Sequence, residues 1–359
     1  MSENPYKLLA ERLDALPNGY PPTESSAELR LLAKLFTPEE AALAAQLRLT
    51  LETPAQIAER LRVDKRTLRQ QLKAMTRKGL IKAGPAEGGG FGYGLLPFAV
   101  GIYEMQVPRM DVEMARLFED YYQEAFGTGL VIKPQLHRVI PVNQSVRMGM
   151  EVRPFESAAE IVASARSWGV TECLCRKQQA LIGQPCGHPL DVCMVFSERP
   201  GFFDGSSYIK ALTQDEALAT LRRAAEAGLV HSVSNNQEGL WYICNCCTCS
   251  CGILRGMAEL GIANVVARSA FVNRVDEELC IACGACVDAC QFGALSVDDV
   301  ARVDAVRCVG CGVCTVACPQ EALSLVRRPE EDIMPIPVTE MDWHRERAAA
   351  RGIDLEEVL

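Results

Sequence analysis

No stretch of the 359 residues approaches the ~18 consecutive apolar positions that would read as a membrane helix, so membrane insertion is not expected. The first residues, Met1 to Asp14, are polar and mixed in charge, without the apolar core of a secretory signal. A cytoplasmic location is therefore the expectation. Also missing is any acid–base constellation, activated nucleophile or cofactor loop of the kind a stand-alone enzyme needs. The glycine run from Gly88 to Gly94 lacks a βαβ frame and does not read as a dinucleotide loop.

What is abundant is cysteine. There are 17, an odd number, packed into C-x2-C and C-x-C spacings, which in a cytosolic chain argues for metal rather than a disulfide framework. Otherwise the composition is that of a globular protein, 48% hydrophobic and 23% charged, with a length that suggests two or three domains. The net charge of −9 hides a separation. Thr53 to Lys82 carries nine Lys/Arg against two acids, whereas Pro329 to Leu359 carries nine acids against three bases. Different ends of the chain are expected to meet different partners.

An internal repeat stands near the C-terminus. Asp276-Glu-Glu-Leu precedes Cys280-x2-Cys283-x2-Cys286-x3-Cys290, and 28 residues later Asp304-Ala-Val-Arg precedes Cys308-x2-Cys311-x2-Cys314-x3-Cys318. Each copy continues into Ala-Leu-Ser, at Ala294 and Ala322. Gly284, Gly310 and Gly312 allow turns in which backbone N–H groups approach sulfur. Pro319 follows the last cysteine, but Gln291 stands where the first copy would carry its proline. Over about residues 271–328 the repeat resembles two-cluster bacterial ferredoxins. That resemblance implies two [4Fe–4S] clusters with crossed ligation. Cluster one would take Cys280, Cys283, Cys286 and Cys318, and cluster two Cys308, Cys311, Cys314 and Cys290. With four thiolates on each cube no iron is open to substrate, so the implied role is one-electron transfer. Zinc knuckles are the competing reading of the same thiolates.

Nine more cysteines lie upstream: Cys173, Cys175, Cys186 and Cys193, then Cys244, Cys246, Cys247, Cys249 and Cys251. In a strand a C-x-C pair places both sulfurs on one face, so two such pairs brought together could supply four thiolates. The expected content is one or two further metal centres with at least one thiol left over, an additional Fe–S cluster or alternatively zinc, the ligand subset open. His188 is expected to donate a hydrogen bond rather than ligate, and Arg176 to be a solvated surface residue. Ser157-x2-Glu160 and Thr213-x2-Glu216 read as capping boxes, the second opening a helix that ends at Gly228. This module is similar to one found beside ferredoxin domains in bacterial iron–sulfur proteins of poorly defined function.

Residues 25–97 read as helices over Glu28–Phe36, Pro38–Arg48, Pro54–Leu61 and Lys65–Lys78, followed by a glycine-rich hairpin. Asp64 is the expected N-cap of the last helix. Leu68, Leu72 and Met75 form its apolar stripe, with Arg66, Arg69, Lys73 and Arg77 nearly opposite. The pattern resembles bacterial winged-helix regulators, which implies either DNA recognition or a docking platform. Asp111 is expected to cap an aromatic-rich helix that packs on its own domain or forms a homodimer seam. A Pro-rich linker, Met334 to Pro337, precedes a short acidic helix with Trp343, expected as a solvated appendage.

The expected architecture is therefore a multidomain α+β chain. It comprises a winged helix over 1–97, a connector over 98–156 and a central α/β Cys-rich module over 157–270. A bacterial dicluster ferredoxin-like domain over 271–328 and an acidic tail over 329–359 complete it. The expected function is an electron-transfer subunit serving a redox partner, a flavoprotein or metal oxidoreductase. The alternative is a redox-responsive DNA-binding regulator, disfavoured because two fully thiolate-ligated clusters suit turnover better than sensing.

Overall fold

A computed structural model describes residues 4–262 and 265–359. The remaining residues, at the start of the 1–97 segment and within 157–270, lie outside the described set. The fold is mixed α and β, and it divides into two compact units, Met1–Lys133 with His344–Leu359, and Pro134–Trp343. The expected connector is thus split between the units at 133/134. No helix among the described residues is long and apolar enough to cross a membrane.

In the first unit, helices Pro54–Leu61 and Lys65–Arg77 are joined through Arg62, which takes a left-handed conformation at φ 55°. Asp64 caps the second helix, its carboxylate accepting the Thr67 N–H at 2.7 Å, an interaction worth about 1 kcal/mol. Leu68, Leu72 and Met75 are buried, while Arg66, Arg69, Lys73 and Arg77 are exposed. Strands β1 (Ile81–Pro85) and β2 (Phe91–Leu95) follow as an antiparallel hairpin, and Glu52 bridges to Tyr93 beside it. The helix expected over Pro38–Arg48 ends at Ala44.

Asp111 caps Val112–Tyr121 by accepting the Met114 N–H, and that helix packs its aromatics inside the unit. Tyr103 and Phe118 stack with ring centroids 3.8 Å apart. The C-terminal segment departs from expectation. His344 to Leu359 is not a solvated appendage, because Arg347 is fully buried and donates to the carbonyls of Pro17, Gly129 and Ile132. Burial lowers its pKa to about 10, which still leaves it charged at neutral pH. Ala348 and Val358 are buried with it. The segment's acidic composition concealed a few apolar and arginine positions that fill the unit's core.

The second unit is built on a seven-stranded sheet. Its strands are β3 (His137–Val139), β4 (Ser167–Glu172), β5 (Asp191–Ser197), β6 (Lys210–Leu212), β7 (Val230–Ser234), β8 (Tyr242–Cys246) and β9 (Val266–Ala267), in spatial order β6-β4-β5-β8-β7-β3-β9. All neighbours are antiparallel except β3 and β9. Helices Ala158–Ser164 and Gln214–Glu226 pack on one face through Ile161, Val162, Ala217 and Leu221 against Met194, Phe196, Val233 and Ile243. Thr213 and Glu216 form the full capping box, whereas Ser157 accepts the Glu160 N–H. Beyond the sheet, β10 (Phe271–Val275) pairs with β13 (Leu323–Arg327), and β11 (Leu295–Val297) with β12 (Ala301–Val303), both antiparallel.

Candidate metal centres

The two halves of the C-terminal repeat are built alike. Each begins after a β-strand, turns through a glycine in the left-handed region and enters a five-residue helix, Ala285–Ala289 or Val313–Ala317. Gly284 has φ +80° and Gly312 φ +76°. Gly310 is obligatory for a second reason, since a Cβ there would lie 2.1 Å from the Phe271 carbonyl oxygen. The fourth cysteine of each run, Cys290 or Cys318, ends its helix.

The fold brings cysteines of different halves together. One cavity is lined by Cys280, Cys283 and Cys286 with Cys318. On the other side Cys290 lies near Cys311 and Cys314; burial first, and then the charges of Cys308 and Cys290, push the Cys311 thiol up to about 12. Hydrogen bonds reach the sulfurs from Ala301 N–H to Cys280 at 3.3 Å, Ala294 N–H to Cys290 at 3.4 Å, and Asn273 Nδ2 to Cys314 at 2.7 Å. Donors of this kind stabilise the charge on a cluster and tune its potential. Cys283 is exposed, beside Ile281 at 61% exposure.

The nine upstream cysteines separate into six and three. Alternation along β8 sends Ile243 into the helix-covered core and Cys244 and Cys246 to the opposite face. Cys193 comes from the neighbouring β5, across from Thr171 on β4. Cys173 and Cys175 are not a strand pair. Cys173 caps the Leu174–Leu181 helix and Cys175 sits in its first turn, so the end of β4 delivers both sulfurs to the same place. Cys251 completes the set from the loop after β8.

These six are electrostatic neighbours in a closed ring, in the order Cys173, Cys175, Cys251, Cys246, Cys244, Cys193 and back to Cys173. The neighbours Cys175 and Cys193 hold the Cys173 pKa low, and Cys244 and Cys251 lower that of Cys246 to about 5. Cys175, Cys193 and Cys244 are pushed up, first by their neighbouring thiols and then by burial. Beyond the ring, Ser232 Oγ contacts Cys246 Sγ at 3.5 Å and His137 Nδ1 at 3.3 Å, and Tyr242 Oη lies 3.0 Å from His137 Nε2.

The other three, Cys186, Cys247 and Cys249, have sulfurs all within 4.8 Å of one another. Cys247 packs with Val192, Ala224 and Leu229 at the end of the helix-covered core. Burial works against ionisation of Cys186, but hydrogen bonds from Ser250 Oγ, the His188 backbone N–H, Cys249 and Cys247 outweigh it and lower the pKa. The imidazole of His188 does not come within reach of the three sulfurs as a fourth ligand, and burial lowers its pKa.

Arg176 lies between the two sets, and it is not a surface residue: it is 2% exposed. Its Nη1 and Nη2 donate to the Asn245 carbonyl at 3.1 Å, and Nη1 reaches Cys247 Sγ at 3.5 Å. Burial pulls its pKa down, but the sulfurs of Cys173, Cys247 and Cys193 more than offset that and raise it. A buried cation among thiols signals that those sulfurs carry negative charge in the working protein. Sequence reasoning missed this role because only the fold sets Arg176 against Asn245 and Cys247.

Gln291 also gains a reason. Its Oε1 accepts the Thr248 N–H at 2.6 Å and its Nε2 donates to the carbonyls of Gly228 and Cys246. The residue after Cys290 thus holds the loop that carries Cys246, Cys247 and Cys249. A proline could do none of this.

Among known families, the model of the 4Fe-4S binding domain matches residues 274–296 and 301–324, one stretch for each half of the repeat. No curated protein and no solved structure matches the chain.

Proposed function

We propose that this chain relays single electrons between a partner oxidoreductase and the interior of its second unit. The 4Fe-4S binding domain contributes two [4Fe–4S] clusters, one on Cys280, Cys283, Cys286 and Cys318, the other on Cys308, Cys311, Cys314 and Cys290. A further iron–sulfur centre occupies the six-cysteine ring. The carrying observation is Gln291, which ties the loop around Cys246 to the residue beside Cys290 and so sets the ring next to the repeat. At the far end Cys283 and Ile281 face solvent, which suits electron exchange with a docked partner, a flavoprotein or metal oxidoreductase. All ligands of both cubes are thiolates, so electron transfer rather than substrate binding is their chemistry.

The test is anaerobic metal analysis with an EPR-monitored redox titration. About twelve irons per chain and fast, reversible reduction by a low-potential donor are expected. About eight irons would remove the ring centre, and clusters that disassemble on reduction would sink the relay.

A second reading, a redox-responsive DNA-binding regulator, rests on the first unit. It reads the helix pair and hairpin within residues 1–97 as a winged helix. Arg66, Arg69, Lys73 and Arg77 are exposed, and none is in an ion pair among the described residues. Such a stripe suits DNA phosphates or an acidic docking partner. A gel-shift with oxidised and reduced protein separates the two, because absence of binding at low salt eliminates the regulator.

A further inference from the structure

Six cysteines close a ring and eight belong to the repeat, which leaves Cys186, Cys247 and Cys249 as a set of their own. We infer that these three bind a single zinc ion whose fourth position is open to water or a small exogenous thiol.

The spacing is the first argument. Tetrahedral zinc with Zn–S near 2.3 Å holds its sulfurs about 3.8 Å apart. The three sulfurs here lie within 4.8 Å of one another, and no other three potential ligands among the described residues do so. The repeat supplies an internal ruler. A cubane interposes four irons between its thiolates and spreads them, and no three of those eight cysteines come so close. The triad is therefore cut for one ion, not for a cluster.

The surroundings are the second argument. Ser250, 1% exposed, donates its hydroxyl to Cys186 Sγ at 3.4 Å. Arg176, equally withdrawn from solvent, offers Nη1 to Cys247 Sγ. Both are buried donors aimed at sulfur, the support that orients metal-bound thiolates. The charges also balance: three thiolates around a divalent ion leave one negative charge, which the Arg176 guanidinium neutralises.

The open position follows from what does not reach the site. His188 does not join the group of ligand atoms among the described residues. No fourth His, Cys, Asp or Glu joins the group among the described residues. Cys247 is 1% exposed while Cys249 is exposed, so the ion meets solvent on the Cys249 side. Three protein ligands with one vacant vertex is the pattern of reactive rather than structural zinc. A thiol entering there would bind as its thiolate.

This site is independent of the electron relay, since it shares no ligand with the ring or the repeat. The test uses the full chain, purified anaerobically in thiol-free buffer from zinc-supplemented cells. One zinc per chain is expected, with zinc-edge X-ray absorption showing three sulfurs near 2.3 Å and one oxygen or nitrogen neighbour. Adding 2-mercaptoethanol should replace that light neighbour with a fourth sulfur. Cys249→Ser, at an exposed position, should lose the zinc and keep the iron. Absence of zinc, or four sulfurs before any thiol is added, overturns the inference, as does loss of iron in Cys249→Ser. None of these readings depends on whether the repeat transfers electrons.

Discussion

The two cysteine regions of the second unit solve the same problem in opposite ways. In the repeat, three of each four thiolates come from one seven-residue loop, whose glycines and short helix fix the geometry locally. In the upstream module the ring gathers Cys173 and Cys251 across the sheet, from the end of β4, from β5, from β8 and from the loop beyond it. The first arrangement is nearly independent of its surroundings. The second exists only once the sheet has formed. A centre held locally would tolerate change elsewhere in the fold, whereas the proposed ring centre, spread over three strands, would make the centre and the sheet depend on each other.

The comparison breaks most sharply at Gly310. Gly310→Ala forces a Cβ against the Phe271 carbonyl and strains a φ of +70°, at a cost of several kcal/mol. Iron analysis should show loss of about four irons from the second cube with the ring still filled; full iron content would show that the repeat's loop is less tightly set than its geometry implies.

Next in size is Cys193→Ser, which opens the ring between Cys173 and Cys244. About a third of the iron should go, and thermal unfolding of the second unit should come earlier, while the EPR signals of the repeat persist. If the repeat's signals vanish as well, the two regions are not separable.

Arg176→Met sharpens the comparison without touching a ligand. The Arg176 charge acts on Cys173 and Cys193 of the ring, and a unit charge within several ångströms at an effective dielectric of about 20 is worth on the order of 2–4 kcal/mol, so the ring centre should become harder to reduce by on the order of 100 mV. Arg176→Lys should recover most of that shift. Potentiometry should find the two cubes of the repeat unmoved.

The smallest expected effect is that of Gln291→Pro, which restores the proline the first half lacks. It removes hydrogen bonds to Thr248, Gly228 and Cys246, each worth about 1 kcal/mol, so denaturant unfolding should report a loss of about 1–3 kcal/mol. Iron content should stay constant while electron exchange between ring and repeat slows in stopped-flow reduction. Unchanged exchange would mean that the two regions do not communicate through this contact.

Much of the fold was legible where its signals are local. Asp64, Asp111 and Thr213 cap the helices their side chains suggested, because a cap needs only the next three residues. The expected strand geometry of Cys173 and Cys175 failed for the same reason in reverse. Their spacing fits a strand, but β4 ends at Glu172 and Cys173 is the N-cap of the helix that follows. The acidic tail misled too, since composition averages over Arg347 and Val358, the positions that are buried.

By itself, the sequence determined the 4Fe-4S binding domain, its two four-cysteine motifs and the turns around them, because thiolates a few residues apart on a glycine-hinged loop have little freedom. Only the tertiary structure decided that nine further cysteines divide into a ring and a triad, that Arg176 lies between them and that Gln291 replaces proline to hold the two regions together. Those relations join residues up to 78 positions apart, from Cys173 to Cys251, and no local pattern encodes which face of a sheet another strand's side chain will meet.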